Sequence, residues 1–183
     1  MMNYELEITP SGVTLCGHPL DLENVGAAML KELYLRYMGD YPKFYKMDPL
    51  CRLGLVAAEL LVQSEGEERL AGRTDRAVIL VGSSASIVSD KAFLETVQDP
   101  EACYPSPLIF VYTLPNIVAG EIAMRNHYHG ETAYYVLPHK DWHYIHRLVA
   151  HTLSDPAIHS VLGGWIDYKD NEHFEANLKI WKN

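Results

Sequence analysis

"YTLPNIVAGEIAMRNHYHGETAYYVLPHKDWHYIH" (residues 112–146) changes its hydrophobic character twice, and those changes set the fold class. Pro115 opens a helical stretch that reads as buried. "ETAYYVL" (131–137) is then a short apolar run rich in strand-forming residues, as expected of a central strand. Pro138 ends it and leads into a second helix from about Lys140 to Leu153, with Trp142, Ile145, Leu148, Val149 and Leu153 on one stripe. Helix, strand and helix in immediate succession predict layered α/β architecture.

The same alternation continues outward. "AVILVGSS" (77–84) is a continuous apolar run closed by Gly and Ser, the pattern of a strand covered on both faces. Before it, Asp48-Pro49 joins a capping side chain to Pro at the first helical position, and Leu50, Leu53, Val56, Ala57, Leu60 and Leu61 carry a buried helix to about Gln63. The charged stretch "SEGEERLAGRTDR" (64–76) reads as a solvated loop. Asp21 is expected to cap an earlier helix on the stripe Val25, Met29, Leu33 and Tyr37. Ser89 or Asp90 is expected to cap another, through Lys91 to Val97. Pro105, Ser106 and Pro107 break the chain before "LIFVY" (108–112), and Gly120 is expected to let another backbone approach closely.

A hairpin is expected at each end. Tyr4 to Cys16 alternates around Pro10, Ser11 and Gly12. "SVLGGWIDY" (160–168) faces "FEANLKIW" (174–181) across a turn from Lys169 to Glu172, with Phe174, Ala176, Leu178 and Ile180 alternating against Glu175, Asn177, Lys179 and Trp181. The expectation is a single domain over residues 1–183, with a mixed sheet of five or slightly more strands covered by helices.

Composition narrows the function. The 183 residues are 48% apolar, enough for one well-filled core. A net charge of −9 with 15 scattered Lys and Arg excludes a nucleic-acid footprint and disfavours docking of another strongly acidic protein. No run of about 18 apolar residues occurs, so no membrane span is expected, and the acidic start does not suggest export. Cytoplasm is the expected compartment. Cys16, Cys51 and Cys103, odd in number and far apart, read as reduced core thiols rather than a disulfide framework.

Four blocks, in order, resemble the β-ketoacyl synthases. "KFYKMDPLCRLGLVAAELLVQ" (43–63) is similar to their basic stretch and long buried helix. "AVILVGSSAS" (77–86) is similar to the strand and Gly-Ser loop that follow. "YPSPLIFVYTLPNIVAGEIAMRNHYHGE" (104–131) is similar to their Ser-Pro, Leu-Pro-Asn, Ala-Gly and basic-to-Gly run, and "VLGGWID" (161–167) to a strand ending in Gly-Gly. The resemblance implies the N-terminal half of a thiolase-like fold, where a complete condensing enzyme packs two such halves. It also implies an acyl-accepting cysteine at the start of the helix after "ETAYYVL", where a helix N-terminus favours the thiolate and donates N–H groups to the oxyanion. Counting from Gly130, that position is His139, and "VLPHKD" (136–141) contains no cysteine. By the same resemblance the family dimerises through the strand at Thr132 to Leu137. A homodimer, or a heterodimer with a full-length synthase, is therefore expected through that edge, with an acyl carrier protein as a further partner.

His127, His129, His139, His143, His146 and His151 crowd into 25 positions. Metal binding by His139, His143 and His146 is one reading, with Asp141 or the pair His127 and His129 as further ligands. Acid–base work by His139 or His143 with Asp141 or Glu131, in an acyl-thioester hydrolase or transferase, is another. The preferred reading follows from their placement off the apolar stripe: they resurface a helix that is buried in the two-halved enzymes. That makes the chain an accessory or interaction subunit in fatty-acid, polyketide or polyene synthesis, not an enzyme, with no cofactor. Chain-length factors, the inactive partners in family dimers, offer the precedent. Gly82-Ser83-Ser84 follows a strand as a phosphate cradle does, but matches neither a P-loop nor a dinucleotide fingerprint.

Overall fold

Seven strands pair into one mixed sheet in the order β3-β2-β1-β7-β6-β4-β5. The computed structural model describes residues 4–66, 71–99, 101 and 103–183. In chain order the strands are β1 (Glu5–Thr9), β2 (Gly12–Leu15), β3 (His18–Pro19), β4 (Arg76–Gly82), β5 (Thr132–Val136), β6 (Ser160–Tyr168) and β7 (Phe174–Lys182). β4 runs parallel to both β5 and β6, while β7 and the β1–β2–β3 meander extend the sheet antiparallel. Both expected hairpins form, and β7 pairs with β1, so the two ends of the chain meet inside the sheet.

The helices are α1 (Ala27–Tyr37), α2 (Pro49–Glu65), α3 (Ile87–Val97), α4 (Pro107–Val111), α5 (Ile117–Asn126) and α6 (Trp142–Leu153). Alternation along β4 distributes them. Val78 and Leu80 join a large core with α1, α2 and α5, together with Leu6, Ile8, Leu162, Ile166, Ala176 and Leu178. Ala77, Ile79 and Val81 face the other way, toward Val149 and Ile145 of α6. Because side chains alternate sides of a pleat, a strand buried on both faces reads as continuously apolar, and all seven residues of β4 are buried.

The α2 cap is as expected: the Asp48 carboxylate accepts from the Cys51 N–H at 2.9 Å. Its second oxygen accepts from Ser89 Oγ at 3.0 Å, so Ser89 lies inside α3 rather than capping it, and Ser86 is the N-cap residue. Asp21 caps nothing. Its carbonyl accepts from Arg36, Val25 is exposed, and α1 begins after Gly26, whose φ of 62° turns the chain into the helix. A Cβ at Gly120 would meet nothing within 4 Å, whereas one at Gly54 would lie 2.3 Å from Val118 Cγ2, so Gly54 is what lets α2 and α5 close on each other.

Two further expectations change. The stretch 64–76 is not wholly solvated: Glu65 and Arg76 form a buried ion pair, and residues 67–70 lie outside the described residues. Of the three thiols, all free, only Cys51 is buried; Cys16 is partly exposed and Cys103 exposed. Burial, reinforced by the Asp48 carboxylate, pushes the Cys51 thiol well above its ordinary range.

At the entrance to β4, Arg73 donates to both carboxylate oxygens of Asp75, at 2.8 and 2.9 Å. This hydrogen bonding holds the Asp75 carboxyl at about 2. A depressed folded-state pKa stabilises the fold above the unfolded value of about 3.9 and loses that stabilisation as pH falls toward the folded one. The difference in melting temperature between wild type and Asp75→Asn is accordingly expected to be constant above about pH 5, to shrink as pH falls, and to vanish only below about pH 2.

Candidate functional site

The carboxyl ends of parallel strands are where open α/β sheets carry their chemistry, and here those ends belong to β4, β5 and β6. β4 turns into Ser83 and Ser84, which enclose the carboxylate of Asp167 near the end of β6. Asp167 Oδ1 accepts from the N–H groups of Ser83 and Ser84 at 3.0 and 2.7 Å; Oδ2 accepts from their hydroxyls at 2.8 and 3.1 Å. The Gly-Ser turn is thus an anion cradle filled by the protein's own carboxylate, buried to 5% exposure. Sequence reasoning singled out the cradle and missed the residue that fills it, because Asp167 is 83 positions away from Ser84.

β5 ends beside this turn. The Leu137 N–H donates to the Gly82 carbonyl at 2.9 Å, and the Tyr134 hydroxyl, raised by burial, donates to the Ile166 carbonyl at 3.3 Å. Residues 137–141, Leu-Pro-His-Lys-Asp, then cross to α6. His139 is exposed on that crossing. Asp141 is spent on the helix: its carboxylate accepts from the Tyr144 N–H at 3.1 Å, a cap that places the helix start at Trp142. Lys140 pairs with Glu175, which also accepts from the Trp165 indole at 2.8 Å.

The histidines do not form one cluster. β5 separates His127 and His129 at its amino end from His139 at its carboxyl end, a rise of roughly 17 Å for five residues. His127 caps α5 in a left-handed conformation, and its carbonyl accepts from the Arg73 N–H. Glu131 also sits at the amino end, accepting from Thr152 at the far end of α6, and so lies across the sheet from His139. His143, His146 and His151 lie on the exposed side of α6, and His146 sits against the edges of the Trp142 and Trp181 rings. Among the described residues no three His, Cys, Asp or Glu side chains converge as metal ligands do. The crossing itself carries no cysteine: Cys51 is in the first turn of α2, Cys16 follows β2, and Cys103 is exposed after α3.

"ETAYYVL" is also not central. β5 is the last strand of the sheet, bonded to β4 on one side only. The bonds from Val78 N to Glu131 O and from Leu137 N to Gly82 O show that odd-numbered residues face β4. The N–H and C=O groups of Thr132, Tyr134 and Val136 therefore line an open edge.

A parallel strand, a Gly-Ser turn and a strand-to-helix crossing in this arrangement define a thiolase-like α/β fold. The solved ishigamide ketosynthase/chain length factor matches it with a TM-score of 0.71 at 16% identity, over 100% of this chain and 61% of that one. A ketosynthase in complex with its chain length factor from Xenorhabdus doucetiae matches with a TM-score of 0.60 at 12% identity, over 98% and 76%. A type II polyketide synthase complex of an acyl-carrier protein with its ketosynthase matches with a TM-score of 0.61 at 12% identity, over 98% and 61%. The chain thus spans about six tenths of the first of these relatives. A comparison with curated proteins returned no match. Residues 38–136 match the family model of the β-ketoacyl synthase N-terminal domain, more than half of the sequence, and the chain belongs to that family. The match ends at Val136, the last residue of β5 and the one before the crossing that carries His139.

No helix among the described residues is long and apolar enough to cross a membrane.

Proposed function

We propose that this protein is a catalytically inactive relative of the β-ketoacyl synthases, a cytoplasmic accessory subunit in fatty-acid, polyketide or polyene synthesis whose residues 1–183 act as one domain. The observation that carries the reading is the crossing from β5 to α6, where Leu-Pro-His-Lys-Asp offers no thiol and Asp141 is committed to the helix. The exposed histidines of α6 support it, since they suit a helix face that meets water. The open edge of β5 supports a partner chain of the same fold, a full-length synthase or a second copy, joined strand to strand. Ketosynthase and chain length factor occur together in two of the solved relatives, and a carrier protein with its ketosynthase in the third.

The test has a chemical arm and a binding arm. Purified protein incubated with an acyl thioester is expected to gain no acyl mass and to release no product, with His139→Ala indistinguishable from wild type. An acyl adduct, or turnover that His139→Ala abolishes, would replace this reading by the hydrolase or transferase one. In the binding arm, mass spectrometry of the protein isolated from its native cell is expected to find a condensing-enzyme chain, and Val136→Pro to lose it. That substitution removes an N–H from the open edge without touching the bonds to β4. Retention of the partner by this variant would place the interface elsewhere.

A further inference from the structure

The segment between β4 and α5 makes little core. α3 buries only Ser89 and α4 buries nothing, although α4 reads Pro-Leu-Ile-Phe-Val. The two helices pack on each other, with the Phe93 and Phe110 rings 5.4 Å apart, while Leu94, Leu108, Phe110 and Val111 stay exposed. Between them and the start of α2 lies a cavity of about 220 Å³. None of residues 137–141 lines it, so it is separate from the crossing that carries His139.

Met47, Pro49, Val88, Ala92, Leu108 and Ile109 make the walls mostly apolar, and Lys46, Asp48, Ser89 and Tyr112 add the polar groups. A small, largely apolar space with a few polar side chains is the usual make-up of a ligand site. Asp48 is already committed. One of its oxygens accepts from the Cys51 N–H and the other from Ser89 Oγ, and the N-terminus of α2 offsets its charge. Lys46 is not committed: it is exposed at the rim and forms no ion pair or hydrogen bond among the described residues. Tyr112 is only 7% exposed, yet its hydroxyl has no hydrogen-bond partner among the described residues. Burial, then the Glu121 carboxylate, pushes that hydroxyl up to about 12, so it remains a donor at neutral pH. A buried donor without an acceptor is costly, and the cavity that Tyr112 lines is where an acceptor can enter.

We infer that this cavity binds a small organic anion, a carboxylate on a compact apolar body, with Lys46 and the Tyr112 hydroxyl as donors to the carboxylate. Two uncommitted donors, one of them cationic, call for an acceptor that carries negative charge. The volume sets the size. Against roughly 30 Å³ for each molecule of liquid water, the space holds a ligand of about seven to nine non-hydrogen atoms, which excludes a long acyl chain. Neither the crossing from β5 to α6 nor the edge of β5 takes part.

Benzoate is the probe, titrated into the isotope-labelled full chain and followed by amide NMR, beside benzyl alcohol and benzylammonium, which keep the ring and change the charge. Benzoate is expected to bind saturably and to shift the amides of Met47, Val88 and Leu108, with benzylammonium bound more weakly. Lys46→Met and Tyr112→Phe are each expected to weaken benzoate at least about threefold. Ala92→Leu, which fills the cavity, is expected to abolish binding, and dodecanoate is expected not to displace benzoate. No saturable shift with benzoate overturns the inference, as does benzylammonium binding equally well. Binding unmoved by Ala92→Leu also overturns it, because benzoate then sits elsewhere, and displacement by dodecanoate overturns the size limit. Circular dichroism checks that Ala92→Leu is folded; Tyr112→Phe, which keeps the ring, carries the test if it is not.

Discussion

Glu65→Ala is expected to lower stability by about 3–5 kcal/mol, because it strands a guanidinium with no exposure to water. Arg76 donates to both Glu65 oxygens at 2.8 and 3.0 Å, to Ser160 Oγ at 2.9 Å and to the Tyr128 hydroxyl at 3.3 Å. Its side chain is 0% exposed and that of Glu65 6%. Lys182 reaches the same carboxylate from the end of β7, so one acid ties the end of α2 to the start of β4 and the last strand. At about 2–4 °C per kcal/mol for a domain of this size, the melting midpoint is expected to fall by roughly 6–20 °C. Replacing both partners, Glu65→Leu with Arg76→Met, is expected to cost far less, since the penalty lies in the unpaired charge rather than in the lost attraction. A fall of only a degree or two for Glu65→Ala would mean that water reaches Arg76.

Gly163→Ala is expected to cost at least about 4 kcal/mol, to the point of leaving little folded protein. Gly163 lies in β6 between β4 and β7, opposite Ile79 and Lys179. A Cβ there would stand 1.9 Å from the Ile79 carbonyl oxygen and 2.8 Å from its carbon. Those atoms are backbone in the neighbouring strand, so relief requires parting the ladder. Gly120→Ala should do the opposite: it adds a methyl to open space in a helix and is expected to stabilise by about 0.5–1 kcal/mol. Chemical denaturation of the two variants separates the predictions by sign.

That contrast shows why some of the fold was legible and some was not. Asp48-Pro49, the continuous run of β4 and the alternation of β7 were readable because each rests on neighbours in the chain. Which glycine is pressed against another segment depends on what arrives from far along the chain: Gly120 faces open space, whereas Gly163 meets the Ile79 backbone and Gly54 the side chains of Val118 and Ile166. The place of β5 was misread for a related reason. An apolar run reports that both faces are covered, and faces are a matter of side chains. Whether a strand has one neighbour or two is a matter of its backbone N–H and C=O groups, which the residue types do not encode.

The candidate site divides along the same line. That residues 136–141 contain no cysteine is plain in the sequence, and the family match ends at Val136, where that stretch begins. The histidine cluster was an effect of counting along the chain: β5 and α6 carry its members to opposite ends of the sheet. Asp141 caps α6, because a carboxylate one residue before a helix finds the N–H three positions on at hydrogen-bond distance.

The sequence by itself determined the α/β class, the two hairpins and the absence of a thiol where the family resemblance puts one, since periodicity, turn residues and residue identity are local quantities. Only the tertiary structure decided that β5 is an open edge, that Asp167 fills the Gly-Ser cradle and that the α3–α4 apolar residues stay uncovered. Each of these depends on which distant backbone or side chain arrives, or fails to arrive, beside the residues concerned.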